Sequence, residues 1–179
     1  DNVKSIGDSA FEDCSSLTSI EIGNGVKSIH RDAFYNCRIE KATIPMIACS
    51  YIKNSSLKEV VITSGTNMDD YAFDYCISLI SVEIPNSVTR IGYCAFRNCS
   101  SLTSIEIPDS ITSIGSDAFH NCSNLTSIEI PISVTRIGSW AFFDCSSLTI
   151  YCKASSEPSG WDNFWNFSDC PVVWGYKND

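Results

Sequence analysis

Residues 95–102 read AFRNCSSL, and closely similar strings occur at 118–125 (AFHNCSNL) and 141–148 (AFFDCSSL). Ala-Phe pairs begin at positions 10, 33, 72, 95, 118 and 141, so all but one of the intervals between neighbouring pairs have the same length. The exception is the longer interval from 33 to 72. A phrase that recurs at a fixed period of about 20–50 residues is typical of a solenoid, in which each copy forms one turn.

The long interval contains a degenerate copy. Ser50-Tyr51 stands at the Ala-Phe position, and Leu57, Val60 and Ile62 follow it with the spacing of the apolar residues in the first copy. The sequence therefore predicts seven turns, of which the third, about 45–62, is shortened by six residues. Because its strand residues are intact, we expect the missing residues to come from the return path and to bend or bulge the solenoid locally.

Each copy contains two extended segments and a turn. The pattern L-x-x-I-x-I at 102–107 alternates apolar and polar residues, which predicts a short strand with one buried face. Pro108 ends that strand because it has no N–H to continue a ladder. Ile114-Gly115 closes a second extended segment, and for 117–122 we expect a helical or 3₁₀ turn. One copy carries too few apolar side chains to offset the entropy of ordering its backbone, so the copies must stack to share a core.

The full string, L-x-x-I-x-I-P-x-S-V-T-x-I-G-x-x-A-F-x-x-C, resembles the BspA-like leucine-rich repeats, a 23-residue class found in bacterial and protist surface proteins. The resemblance covers about 1–152 and implies a right-handed solenoid of about seven turns. It places one parallel β-sheet on the concave face and short 3₁₀, turn or extended segments on the convex side. Known members are surface-exposed or secreted, adhere to host proteins and cells, and share no catalytic residues.

The segment 153–179 departs from the repeat and forms the second of two predicted units, after the solenoid at 1–152. Its closing string WDNFWNFSDCPVVWGY also resembles the end-piece of bacterial proteins in this group. We expect an aromatic C-terminal cap, because the last turn of a solenoid exposes an apolar cross-section that must be covered. The alternative is an aromatic platform for carbohydrate. Six aromatic residues support either interpretation: Trp161, Phe164, Trp165, Phe167, Trp174 and Tyr176.

Charge and hydropathy exclude several classes of partner. The net charge is −9 with only 12 Lys plus Arg, which argues against nucleic acid and anionic lipid, since both require clustered cations. No apolar run approaches the length of a transmembrane helix, so we expect no membrane insertion. The ten cysteines favour an extracellular or cell-surface setting. The chain opens partway through a copy, VKSIGDSAFEDC, so we expect a fragment whose targeting signal, if any, lies elsewhere.

Residue types that could support catalysis or metal binding are present but badly placed. His120 and Cys122 resemble a base and a nucleophile, yet the position of His120 varies freely among the copies, which indicates solvent exposure. Cys94 and Cys99 lack a second pair at zinc-site spacing. Phosphate-loop, G-x-S-x-G and H-E-x-x-H motifs do not occur. The sequence therefore predicts neither an enzyme, nor a cofactor, nor a metal site.

Cysteines recur in one column of the repeat. Stacked turns place equivalent Cα atoms about 4.8 Å apart, and because the side chains run parallel, their Cβ atoms are also too far apart for a relaxed disulfide. We therefore expect buried free thiols that are protected from solvent at Cys14, Cys37, Cys76, Cys99, Cys122 and Cys145. Cys152 and Cys170 fall outside the column and flank the cap, so they are the candidate pair for a disulfide.

The exposed strand positions carry an acidic column formed by Glu83, Glu106 and Glu129. Like charges aligned across strands are destabilising, so water must screen them or a cation must offset them. Glu can simply be the consensus residue at this position and be well solvated. The functional alternative is that the column receives a basic protein segment or a weakly held divalent cation.

Departures from consensus indicate where specificity would lie. The second and third copies replace the common Thr, Ser and Glu of the strand surface with Glu40, Lys41, Lys58 and Glu59. We therefore predict a non-enzymatic protein-binding module that adheres to a host or matrix protein through its concave face. The alternative is a structural spacer that projects another domain of a longer surface protein.

Overall fold

The computed structural model describes residues 2–52 and 54–177 and is a parallel β-solenoid of about eight turns. Its strands are short because each turn contributes only a few residues to any face. In chain order they are β1 (Ser5–Ile6), β2 (Ser19–Glu21), β3 (Ser28–Ile29), β4 (Lys41–Pro45), β5 (Glu59–Ser64), β6 (Ser81–Glu83), β7 (Arg90–Ile91), β8 (Ser104–Ile105), β9 (Ser113–Ile114), β10 (Ser127–Ile130), β11 (Arg136–Ile137), β12 (Thr149–Cys152) and β13 (Val172–Trp174).

The L-x-x-I-x-I segments form the main sheet, which consists of two four-stranded parallel halves. One half has the order β2-β4-β5-β6 and the other the order β8-β10-β12-β13. Register follows the repeat, since Ile128 pairs with Ile105 on one side and Ile150 on the other. Apolar and polar residues alternate as predicted, with Ile128 buried and Ser127 exposed. The apolar face of the sheet therefore points into the solenoid, and its polar face is free to meet a partner.

The V-T-x-I-G segments form a secondary sheet on another side of each turn. Its strands pair in parallel as β1-β3 and β7-β9-β11. Gly115 lies so close to the preceding turn that a Cβ there would be 2.6 Å from the carbonyl of Gly92. The final glycine of the motif thus allows the turns to stack.

The A-F-x-x-C segment forms a turn, as expected, in which His120 N donates to Asp117 O and Cys122 N to Phe119 O, each at 3.1 Å. Asp117 (φ 53°) and Asn121 (φ 57°) adopt left-handed backbone conformations, which Asp and Asn tolerate better than most residues. This geometry turns alternate amides toward the next turn, where Phe119 N donates to Ala141 O at 2.8 Å and Asn121 N to Phe143 O at 2.7 Å. Hydrogen bonds within the turn thus alternate with hydrogen bonds to the next turn.

The shortened third copy replaces its return path with compact helical structure. A 3₁₀ turn (Met46–Ala48) leads directly into a one-turn helix, α1 (Cys49–Ile52). The register of the main sheet shifts between Ile44 and Pro45 at this point, and the secondary sheet is interrupted between β3 and β7. The missing residues therefore come from the return path, and the irregularity is a bulge in the sheet.

Residues 153–177 extend the solenoid by an eighth turn. Val172 pairs with Ile150 at the same offset along the chain at which Ile150 pairs with Ile128. Trp165 contacts Phe142 edge to face, with 6.0 Å between ring centroids, at the place where a further Phe would stack. Asp169 has a φ of 52° and precedes Cys170, as Asp144 with a φ of 59° precedes Cys145. The segment thus departs from the repeat in sequence but continues its backbone.

The interior is a continuous apolar core. Phe96, Phe119 and Phe142 stack face to face with successive ring centroids 5.3 and 5.5 Å apart, and all three are fully buried. No polar or charged residue of the described ranges is classed as buried, so any binding chemistry of this part of the chain lies at its surface. Within residues 2–52 and 54–177, no helix is long and apolar enough to cross a bilayer.

Candidate binding surface

The polar face of the main sheet carries an open groove of about 870 Å³ near its C-terminal half. Pairing of β8 with β10 places Glu106 beside Glu129, and both side chains line the groove together with Asp109. Glu83 belongs to β6, which is not hydrogen-bonded to β8, and it does not line the groove. Of the predicted acidic column, Glu106 and Glu129 line the groove, and Glu83 lies one turn before Glu106 and outside it.

Lys153 also lines this groove, and the repeat pattern does not predict it. Its backbone amide donates to Ile130 O at 3.0 Å, which fixes it at the end of β12. The sequence feature that could have identified Lys153 is its departure from consensus. It lies at the strand end, where two preceding copies have Pro108 and Pro131. Three carboxylates and one ammonium thus face the same space, and the groove carries net negative charge.

The four charged residues of the second and third copies pair with one another. Lys58 Nζ lies 2.9 Å from Glu40 Oε2, and Lys41 Nζ lies 2.9 Å from Glu59 Oε2. The second pair follows from the register, since Lys41 and Glu59 are directly opposite on β4 and β5. The Lys41–Glu59 pair is exposed and the Glu40–Lys58 pair is half-buried, and solvent screens both, so each contributes at most about 1 kcal/mol to stability. They neutralise each other and present little net charge to a partner.

The column thiols are hydrogen-bond donors to the preceding turn. Cys99 Sγ lies 3.2 Å from Phe73 O, and Cys122 Sγ lies 3.1 Å from Phe96 O. Burial raises the pKa of both thiols well above the usual value, so they stay protonated and unreactive. Cys14 is an exception to the predicted protection: it is exposed, because no described turn precedes the first copy to cover it.

The candidate disulfide between Cys152 and Cys170 is not formed. Both residues are buried free thiols, and burial raises the pKa of Cys152 to about 12 and that of Cys170 to about 11. Cys170 Sγ lies 3.6 Å from Cys145 O and 4.0 Å from Phe142 O. Cys170 therefore continues the cysteine column into the eighth turn, which the repeat pattern hides because a two-residue insertion shifts it relative to the other copies.

The two histidines have local carboxylate partners. His120 Nδ1 lies 2.8 Å from Asp117 Oδ1, whereas the thiol of Cys122 is directed at a buried carbonyl, so the two do not form a catalytic pair. His30 Nδ1 lies 3.0 Å from Asp8 Oδ1 and 3.8 Å from an oxygen of Asp32. Among the described residues this exposed trio is the one group of His, Cys and acidic side chains close enough to hold a metal ion. Arg31 would compete with a metal ion for this group, because Arg31 Nε lies 3.1 Å from the same Asp32 oxygen.

Arg97 fixes the turn edge between the fourth and fifth copies. Its guanidinium makes two hydrogen bonds to Asp74, at 2.9 and 2.8 Å, and lies over the rings of Tyr71 and Tyr75 at 5.6 and 5.5 Å. Such a bidentate, ring-flanked guanidinium joins adjacent turns rigidly. The cluster could not be read from the repeat, because its members occupy positions that vary from copy to copy.

Comparison with known proteins agrees with this geometry. The sequence profile of the BspA type leucine rich repeat region matches residues 1–63 and 66–168, in six copies. No curated protein sequence matches the chain.

Solved structures resemble the chain along most of its length. A leucine-rich repeat protein of T. pallidum, TpLRR, is 27% identical with a TM-score of 0.58 over 75% of this chain and 58% of its own. A leucine-rich repeat protein from Bacteroides ovatus is 26% identical with a TM-score of 0.52 over 97% and 59%. The pneumococcal vaccine antigen PcpA shares the fold at 20% identity, with a TM-score of 0.58 over 78% and 46%. The chain thus spans about three fifths of the length of the first two proteins. It belongs to the BspA-type leucine-rich repeat family.

Proposed function

We propose that this chain is a non-enzymatic protein-binding module of a cell-surface or secreted protein, and that it adheres to a host or matrix protein through the main-sheet groove. The observation that carries the proposal is the groove itself. Glu106, Glu129 and Asp109 face an open space of about 870 Å³ with Lys153 as the lone cation among the groove-lining residues. A partner that fits this charge pattern presents a basic segment, since complementary potentials steer association and set its specificity.

The apolar core supports a binding role over an enzymatic one. Burial raises the pKa of the Cys99 and Cys122 thiols, which keeps both protonated, whereas a nucleophilic cysteine needs a lowered pKa. Setting and partner class are supported by the family resemblance, whose known members act at the cell surface.

The alternative function is a structural spacer. The two exposed ion pairs, Glu40–Lys58 and Lys41–Glu59, favour it because they neutralise charges that a binding surface would offer to a partner. A spacer needs turns that stack stably and a surface that offers little net charge to a partner, and the two ion pairs give this part of the main sheet such a surface.

Surface plasmon resonance on purified matrix proteins separates the two functions. We expect at least one protein to bind with an affinity that falls as salt rises, and to bind the E106Q/E129Q variant about tenfold more weakly. Glu21→Gln is the matched control, since Glu21 has the same motif position in the first copy and does not line the groove. Equal binding to parent and E106Q/E129Q would rule out the groove, and absence of any binding would favour the spacer.

A further inference from the structure

A second surface, on the turn edge at the C-terminal end, exposes an aromatic patch made of Trp140, Phe143, Phe164 and Phe167. Trp140 is 48% exposed and Phe164 and Phe167 are each 54% exposed. The rings contact one another, with centroids 5.8 Å apart for Phe143 and Phe167, 6.0 Å for Phe164 and Phe167, and 6.4 Å for Trp140 and Phe167. Contiguous exposed apolar surface of this kind usually marks an interaction site.

Core packing does not explain the patch. Trp140 and Phe143 flank Ala141 and Phe142 in the chain. Ala141 and Phe142 belong to the core and are fully buried. Other copies place Ser9 or Asp117 at the position of Trp140 without loss of the fold. Trp140 also has a φ of 56°, a conformation that is unfavourable for a bulky side chain. A large ring at this position costs backbone strain and remains about half exposed.

Acidic residues lie close to the patch along the chain. Asp144 follows Phe143, Asp169 lies two residues after Phe167, and both are exposed, while the Asp162 carboxylate accepts the amide of Phe164 at 2.9 Å. No Lys or Arg of the described ranges makes a cation–π contact with these rings, since both contacts of that kind involve Arg97 and the tyrosines of an earlier turn. The patch thus offers aromatic faces and negative charge together.

These properties select one class of occupant. A second copy of the chain is disfavoured because each copy carries a net charge of −9 and would bring its own carboxylates to the contact. The rings are tilted by 41° to 65° relative to one another, so they present several separate faces rather than one continuous platform. Guanidinium and ammonium groups are attracted both by ring faces and by carboxylates.

We propose that the aromatic patch is a second binding site, for a protein segment in which arginine or lysine alternates with apolar side chains. The cation stacks on Trp140 or Phe167 and pairs with Asp144 or Asp169, while the apolar side chains cover the remaining ring surface. The site lies on the turn edge and shares no residue with the main-sheet groove, so it does not depend on the function proposed for that groove.

The test uses the whole chain and a fluorescein-labelled 12-residue peptide of alternating arginine and leucine, with binding measured by fluorescence anisotropy. Two peptides serve as probes of chemistry, one with glutamate for arginine and one with glycine for leucine. We expect the arginine–leucine peptide to bind and both others to bind at least about tenfold more weakly, because each loses one of the two contributions.

Variants locate the site. W140S/F167S should weaken binding about tenfold or more, and D144N/D169N, which keeps the rings and suits the left-handed backbone, should weaken it about threefold to tenfold. Tyr35→Ser is the matched control, because Tyr35 has the motif position of Phe143 and is 63% exposed on a different turn. Equal affinity for parent and W140S/F167S would overturn the proposal. So would loss of binding in E106Q/E129Q alone, which would assign the peptide to the groove instead.

Discussion

Replacing Gly115 by alanine tests the spacing of the turns directly. Gly115 has a backbone conformation that alanine can adopt, so the substitution probes only the space around it. A Cβ there would lie 2.6 Å from the carbonyl carbon and oxygen of Gly92 and 2.7 Å from the nitrogen of Tyr93. All three are backbone atoms, which cannot move aside as a flexible side chain could. The turns must therefore separate at this point.

The expected loss of stability follows from three contributions. Overpacking costs about 1–3 kcal/mol, and loss of the Gly115 N to Ile91 O hydrogen bond, 2.9 Å long, costs about 1 kcal/mol. Alanine also restricts the conformations of the unfolded chain, which offsets this loss by about 0.4–1 kcal/mol. The net loss of about 1–3.5 kcal/mol should lower Tm by about 2–14 °C for a chain of this size.

Gly7 is the internal control for this experiment. It occupies the same place in the same motif, but nothing lies within 4 Å of a Cβ built there. Gly7→Ala should therefore raise stability by about 0.4–1 kcal/mol through the unfolded state alone. Both variants are compared with the parent by urea and thermal denaturation followed by circular dichroism. If the two substitutions changed stability equally, the close stacking of turns could not be the cause.

Three further predictions concern the thiols and the core. Ellman's reagent should modify one thiol per native chain and ten after unfolding, with Cys14→Ser removing the fast reaction; a second fast thiol would contradict the burial of the column. Burial raises the folded-state pKa of Cys152 to about 12 and that of Cys170 to about 11. The contribution of these two thiols to the free energy of unfolding should therefore be constant below the unfolded thiol pKa of about 8.5 and fall as pH rises from there toward those values. Denaturation midpoints that stay level between about pH 8 and 10.5 would refute this. Phe119→Ala should cost about 3–5 kcal/mol because the ring is fully buried between two others, whereas Phe11→Ala should cost much less because Phe11 is 37% exposed; similar losses would argue against a shared column.

Sequence periodicity predicted those parts of the fold that depend on one residue type at one position. Phe96 and Leu102 recur in most copies, and both are fully buried. The strands were equally predictable, because alternation of apolar and polar residues is a local signal. The turn at 117–122 was predicted as a turn, but its left-handed residues were not, because they accompany hydrogen bonds to Ala141 and Phe143 in the following turn that no local signal reveals.

The candidate sites were predictable only in part. Stacking in register implied that Glu106 and Glu129 would lie side by side, and they do. Neither the place of Lys153 in the groove nor the aromatic patch was predicted. Both involve residues that depart from the consensus of the repeat, and only the structure shows which of these residues lie close together. Trp140 and Phe167, for example, belong to different turns and share no motif position.

We propose that a capping role explains why the eighth turn differs in sequence from the other seven. In the last turn of a solenoid no further ring stacks on the core ring. The residues of that turn must therefore both continue the ring column and cover its end. Trp165 meets Phe142 at 85° rather than face to face, and Trp161 contacts Trp165 with 4.7 Å between ring centroids, so the two indoles close the column with larger surfaces than Phe could supply. Both are nearly buried, at 4% and 5% exposure. Phe164 and Phe167 lie in the same segment yet remain more than half exposed, so closure of the core does not require them. This segment thus contains two sets of aromatic residues with different roles. The indoles of Trp161 and Trp165 close the core and contribute to stability, whereas the rings of Phe164 and Phe167 remain exposed and available to a partner.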